Sequence, residues 1–144
     1  MAPVSISKDL VTALERAAWR AHPNEACALL LGHQSAACME ISQVAITENV
    51  TQADPQLTFE VDPTMHILLQ KAARVGGPAI VGVWHSHPCG KAIPSEADKA
   101  RSIEPGWIWL ISADAPDGMT HAAFRAGEDD ARQFCQVPLL MNDS

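Results

Sequence analysis

The sequence predicts an α/β (α+β) domain, a single mixed β-sheet flanked by helices. Two observations point there. Segments whose apolar residues recur with the helical period interleave with short runs that alternate or are wholly apolar, the order expected when helices pack on a sheet. The chain also has 144 residues, 47% apolar and 19% charged, enough for one hydrophobic core and too few for two ordinary ones. Residues 1–138 are expected to form that domain and residues 139–144 a frayed C-terminal tail.

Leu10, Val11, Leu14, Ala17, Ala18 and Ala21 predict a helix over residues 7–22, which Pro23 ends. ACALLLGH (26–33) is a short apolar run bounded by turn residues and reads as a buried strand. CMEISQVAI (38–46) alternates and reads as its antiparallel partner. A loop with Asn49, Asp54 and Pro55 leads to a brief strand, LTFEV (57–61). Asp62-Pro63 opens a second helix, with Asp as cap and Pro where no N–H is needed, and Gly76-Gly77-Pro78 closes it. AIVGVWHSH (79–87), apolar on both faces as far as Trp84, reads as a central strand ended by Pro88. Ser95 opens a short helix to about Ser102. WIWLISA (107–113) and THAAFRA (120–126) are two further strands joined through 114–118, and an edge strand is expected at 134–137.

The net charge of −7, with ten scattered Lys and Arg, disfavours nucleic acid and anionic membranes as partners, since both are bound by clustered basic residues. No apolar stretch reaches the ~18 residues of a membrane span. MAPVSISKDL lacks a basic stretch followed by an apolar one, so a cytoplasmic protein is expected. Cys27, Cys38, Cys89 and Cys135 form no CxxC pair and read as reduced thiols.

The chemistry concentrates in WHSHPCGKAIPSEAD (84–98). His85 and His87 are two apart on a strand and so point to one face. Ser95 and Asp98 share a face of the following short helix. Two imidazoles and a carboxylate are a catalytic zinc set, three protein ligands with the fourth position open, and nitrogen ligands favour Zn²⁺ over Mg²⁺ or Ca²⁺. Each half also has a structural reading: a hydrogen-bonded histidine pair, and a Ser-x-x-Asp helix cap.

The spacing His85-x-His87-x7-Ser95-x2-Asp98, with Pro88 and Pro94 in place, resembles the signature of the JAMM (MPN+) metallopeptidases. Upstream, HPNEACALLLG resembles the family's Pro-x-Glu-x-Cys-Gly block through Pro23, Glu25 and Cys27, with Ala28 where many members have Gly. The resemblance implies a cytidine-deaminase-like architecture and one Zn²⁺ held by His85, His87 and Asp98. It also implies Glu25 as the base that passes a proton to the leaving amine and Ser95 as a donor to the oxyanion. Residue types alone do not single out Glu25 among the carboxylates. The compact chain is similar to small bacterial members acting on ubiquitin-like sulfur-carrier proteins, at the amide bond after a C-terminal Gly-Gly. Such enzymes remove C-terminal residues or release an attached amino acid such as cysteine. Two alternatives share the motif or the fold: an isopeptidase removing a ubiquitin-like modifier from lysine, and a non-catalytic MPN scaffold. A deaminase is disfavoured, because the chain lacks Cys-x-x-Cys and His-x-Glu.

Other candidates read as structural. Cys89 is a rim thiol, and Ser86 lacks a nucleophile elbow. His22, His33, His66 and His121 are isolated and expected at the surface or in loops. Trp107 and Trp109 share a strand face and are expected in the core.

Overall fold

A computed structural model describes residues 2–143. The elements run β1 (Val4–Ser7), α1 (Lys8–Ala21), β2 (Cys27–Gln34), β3 (Met39–Thr47), α2 (Pro63–Arg74), β4 (Ala79–His87), α3 (Glu96–Arg101), β5 (Ile108–Ala115), β6 (Gly118–Ala126), β7 (Phe134–Val137) and β8 (Leu139–Asn142). The strands form one mixed sheet in the order β7-β6-β5-β4-β2-β3-β1-β8. β4 lies at its middle, antiparallel to β2 and parallel to β5. The expected class, one mixed sheet with helices against it, is the one observed. No helix among the described residues is long and apolar enough to cross a membrane.

The sheet's two faces carry separate cores. On one, α1 buries Val11, Leu14, Ala17 and Ala18 against Val4, Ile6, Leu30, Trp84, Leu110 and Val137. Ser7 caps α1 by accepting the Leu10 N–H. The opposite face gathers Cys27, Phe59, Val83, Trp109, Ile111 and Phe124. Period-2 alternation along β4 therefore sends Trp84 to the α1 face and Val83, His85 and His87 to the other. α2 starts at Asp62, whose side chain accepts the Thr64 N–H, and it lies at the periphery with no fully buried residue.

Two expectations are corrected and one strand is added. LTFEV is not a strand: only Asn49 and Val61 form an isolated bridge. Phe59 is buried there by stacking on His85 rather than by sheet pairing. The N-terminal VSIS, not assigned to any element from sequence, is β1, with Val4 and Ile6 fully buried between β3 and β8. The tail does not fray over Leu139–Asn142, which pairs in parallel with Val4–Ser7. Pro138 is accommodated because it lies between strands, where its carbonyl accepts the Val4 N–H at 2.9 Å. β7 and β8 sit at opposite ends of the strand order yet are separated by Pro138 alone. The two edges must therefore lie within about 7–8 Å there, the reach of two peptide units, and the sheet curls around α1.

β4 and β5 approach closely at Gly82, where an added Cβ would lie 2.0 Å from the Ile108 carbonyl oxygen. The obstacle is backbone in the central strand pair and cannot swing aside. Gly82→Ala is expected to destabilise the fold by about 1–3 kcal/mol, read as a melting temperature lower by several degrees in a thermal scan.

Candidate metal centre

β4 ends in His85-Ser86-His87, a loop reverses the chain, and α3 brings Asp98 back over the strand end. Ser95 and Asp98 form a reciprocal cap: the Asp98 N–H donates to Ser95 Oγ at 3.1 Å, and the Ser95 N–H donates to Asp98 Oδ2 at 2.9 Å. His85 and Asp98 are fully buried, with Glu25 and His87 nearly so. His85 Nε2 and His87 Nε2 lie 3.0 and 3.2 Å from Asp98 Oδ2 and 3.0 Å from each other. Glu25, in the turn before β2, completes a cluster whose ligand atoms all lie within 4.8 Å of one another.

The proton positions follow from the partners. His87 Nδ1 faces the Lys91 carbonyl at 2.8 Å. A carbonyl only accepts, so Nδ1 carries a hydrogen and Nε2 is the ring nitrogen that faces the cluster. Glu25 Oε1, His85 Nδ1 and Asp98 Oδ1 are buried with no partner among the described residues. Two ring nitrogens and a carboxylate oxygen thus meet at separations of 3.0–3.2 Å, close to the edge of about 3.3 Å for a tetrahedral shell with bonds of about 2.0–2.1 Å. The residues fit a small divalent cation.

Burial sets the electrostatics. It pushes the Glu25 carboxyl up to about 8; His87 opposes the shift and Asp98 adds to it. Burial pulls His85 down despite its bond to Asp98, favouring the neutral imidazole that a metal requires. For His87, burial is outweighed by the bonds to Asp98 and the Lys91 carbonyl, and the pKa rises. For Asp98, burial is outweighed by His85 and His87, which hold the carboxyl well below its usual range. Phe59 stacks on His85 with ring centroids 4.4 Å apart, and Trp109 meets that ring edge-on at 5.6 Å.

The structure brings Glu25, His85, His87 and Asp98 together and places Ser95, half-buried, beside them as the cap of α3. The capping reading and the convergence of Asp98 on the imidazoles hold at once. Ser86 faces away and accepts the Ala26 N–H at 2.8 Å, tying β4 to the Glu25 segment. Cys89 is an exposed free thiol, and the other three cysteines are also free. His121 is a correction: on β6 its ring bonds Ser112 Oγ at 2.7 Å and Glu15 Oε2 at 2.9 Å, contacts that no sequence-local signal announces. Trp109 is buried as expected. Trp107 precedes β5 and is half-exposed, lining a cavity of about 190 Å³ with Leu29, Phe59 and Val83. Phe59 and the Lys91 carbonyl, which fix the two imidazoles, went unassigned because both act from loops.

A buried His-x-His at the end of a central strand, completed by an aspartate from the next helix and a glutamate from the segment leading into the neighbouring strand, defines a metallohydrolase centre. Residues 7–126 match the family model described as prokaryotic homologs of the JAB domain. The chain is 32% identical over 111 residues to a desampylase of Haloferax volcanii, covering 74% of this chain and 73% of that one. A solution structure of a Desulfitobacterium hafniense protein superimposes with a TM-score of 0.83 at 26% identity, over 98% of this chain and 94% of that one. A JAB1/MPN domain protein from Archaeoglobus fulgidus shares the fold, with a TM-score of 0.56 at 18% identity over 97% of each chain. The chain belongs to the prokaryotic JAB (JAMM/MPN) family of metallopeptidases, and its Glu-His-His-Asp cluster is intact.

A cation that binds only the folded chain must stabilise it. Adding Zn²⁺ to chelator-treated protein at about 100 times its dissociation constant is expected to stabilise the fold by about 2.7 kcal/mol. Differential scanning calorimetry should show the rise in melting temperature for wild type and none for His87→Ala.

Proposed function

We propose that this protein is a zinc-dependent peptidase hydrolysing the amide bond after the C-terminal Gly-Gly of a ubiquitin-like sulfur-carrier protein. The reaction removes C-terminal residues or releases an attached amino acid. The observation that carries the reaction type is the convergence of His85, His87 and Asp98 on one point with Glu25 beside it. Two imidazoles and one carboxylate suit Zn²⁺ better than the oxygen-seeking Mg²⁺ or Ca²⁺. The similarity to a desampylase supports a ubiquitin-like protein as substrate. It also favours, as a second reading, removal of such a modifier from a lysine side chain, which uses the same chemistry.

His85, His87 and Asp98 would hold the Zn²⁺, which would supply Lewis acidity to water and to the scissile carbonyl. Glu25 is the proton carrier. Burial pushes its carboxyl up to about 8 without a cation, and a bound cation would draw it back down, so that the carboxylate can take a proton from water and return it to the leaving amine. Ser95 spends one lone pair on the Asp98 N–H, and a hydroxyl has a second lone pair and a hydrogen besides. Capping α3 therefore leaves Ser95 free to donate to the carbonyl oxygen as negative charge develops there. The Lys91 carbonyl holds the His87 tautomer, and Phe59 holds the His85 ring.

Glu25→Gln is expected to retain one zinc per chain by plasma emission spectroscopy while turnover falls by about 10²–10⁴. Ser95→Ala should lose roughly 10² in kcat, the cost of one oxyanion donor. Mass spectrometry of a carrier protein extended beyond Gly-Gly, run beside a lysine-linked conjugate, distinguishes the two substrate readings. Cleavage of the conjugate alone overturns the first, and cleavage of neither by zinc-loaded protein overturns both.

A further inference from the structure

The loop between β3 and α2 touches Glu25, His85 and the helix that carries Asp98, and Asn49 stands at its root. The Asn49 amide is used in full. Nδ2 donates to the Glu25 carbonyl and to the Thr58 carbonyl, both at 3.0 Å; Oδ1 accepts the Thr51 N–H at 3.1 Å and the Glu60 N–H at 3.0 Å. An asparagine has two donors and two acceptor lone pairs, and all four are engaged. The orientation is unambiguous, because a flipped amide would set its oxygen against two carbonyls and its NH₂ against two N–H groups.

These bonds grip the backbone of Glu25 from one side while the same loop grips it from the other. The Glu25 N–H donates to the Pro55 carbonyl at 2.7 Å, and the next residue, Ala26, donates to Ser86 Oγ on β4. The Glu25 peptide is thus fixed at its N–H and its carbonyl by one loop. From there the loop reaches both sides of the ligand set. Phe59, one residue beyond the Thr58 carbonyl that Asn49 holds, stacks on His85. Thr58 Oγ1 accepts from Arg101 Nε at 3.1 Å, on the helix that carries Asp98.

We propose that Asn49 is a positioning residue for the reaction: by bridging Glu25 to the 58–60 backbone it fixes the Glu25 carboxylate relative to His85 and Asp98. It touches neither substrate nor metal and acts through Glu25. The chemistry gives asparagine this place. Aspartate keeps the two acceptor contacts but has no N–H for the two carbonyls, and glutamine carries the amide one carbon too far. The proposal rests on Glu25 as the proton carrier. A displaced base costs rate rather than binding, on the order of 10²-fold for about 1 Å.

The test uses zinc-loaded full-length Asn49→Asp and Asn49→Ala, alone and combined with Glu25→Gln, on a ubiquitin-like carrier extended beyond Gly-Gly. Each single variant is expected to keep one zinc per chain, to leave KM within about twofold and to lower kcat roughly ten- to a hundredfold, measured well below its melting temperature. In NMR exchange the Glu25 amide should exchange faster in both variants. On the Glu25→Gln background, Asn49→Asp should change the residual rate by less than about twofold, because two residues acting through one step are not additive. An equal loss on both backgrounds, a change in KM alone, or wild-type turnover in Asn49→Asp overturns the proposal. Wild-type turnover in Glu25→Gln overturns the assignment of the base instead. The amide exchange reads the Asn49 clamp independently of that result.

Discussion

Everything at the end of β4 answers to the burial of four ionisable side chains in one small volume. A carboxylate as enclosed as Asp98 costs several kcal/mol unless it is paired and hydrogen-bonded. Its partners are His85, His87 and the Ser95 N–H, contributed by a strand end, the same strand end two residues on, and a helix cap. None of the three can shift without stranding the charge. The loop 88–95 is consequently constrained at both ends. The Lys91 carbonyl adds a further restraint by holding His87 from within that loop. What pairing does not cover is informative: Asp98 Oδ1, His85 Nδ1 and Glu25 Oε1 have no partner among the described residues. A stable fold seldom leaves two buried carboxylate oxygens open beside each other unless a ligand uses the site.

Sheet register carries this constraint into the rest of the molecule. His85 is paired with Cys27 on β2 and with Ile111 on β5. The first pairing fixes where the chain enters β2, and therefore where Glu25, two residues earlier, can reach. A slip of one residue in β4 would turn both imidazoles to the α1 face and Trp84 to the site. The burial of Trp84 among the α1 contacts opposes that slip. The close approach at Gly82 is part of the same arrangement, since it lets β4 lie tight against β5.

The sequence made legible what depends on local period and spacing. His85 and His87 share a face because strands alternate, and Ser95 and Asp98 share a turn because helices repeat. Both relations were readable before any fold was known. Their convergence across loop 88–95 depends on a chain reversal, and the resemblance to a family, rather than periodicity, indicated it. Glu25 lies sixty residues before His85, and no local rule distinguishes it from the other carboxylates. LTFEV misled because Leu57, Phe59 and Val61 alternate like a strand; Leu57 is in fact 64% exposed and Phe59 is held by a ring. β1 and β8 are four residues each and pair with one another from opposite ends of the chain, a relation carrying no local trace. His121 is isolated in sequence but reaches Ser112 through the β5–β6 hairpin and Glu15 through the curl of the sheet over α1.

That last group sharpens the assignment of the site. Ser112, His121 and Glu15 line up as a hydrolase triad would, directly behind the metal centre, since Trp84 and His85 are neighbours on β4. Burial excludes a nucleophile here, since Ser112 is fully enclosed. Trp84 Nε1 can only donate, and it donates to Ser112 Oγ at 2.8 Å. With no other acceptor at that hydroxyl among the described residues, Ser112 gives its own hydrogen to His121 Nδ1, and His121 Nε2 donates to Glu15. Ser112 is fully buried and beyond the reach of a substrate. Every member of this chain has its partner, so it works as a structural tie between α1 and the sheet. Of these two polar networks on opposite faces of the sheet, the one on the His85 face is the one that leaves buried side-chain atoms open among the described residues, which suits a site that receives a ligand.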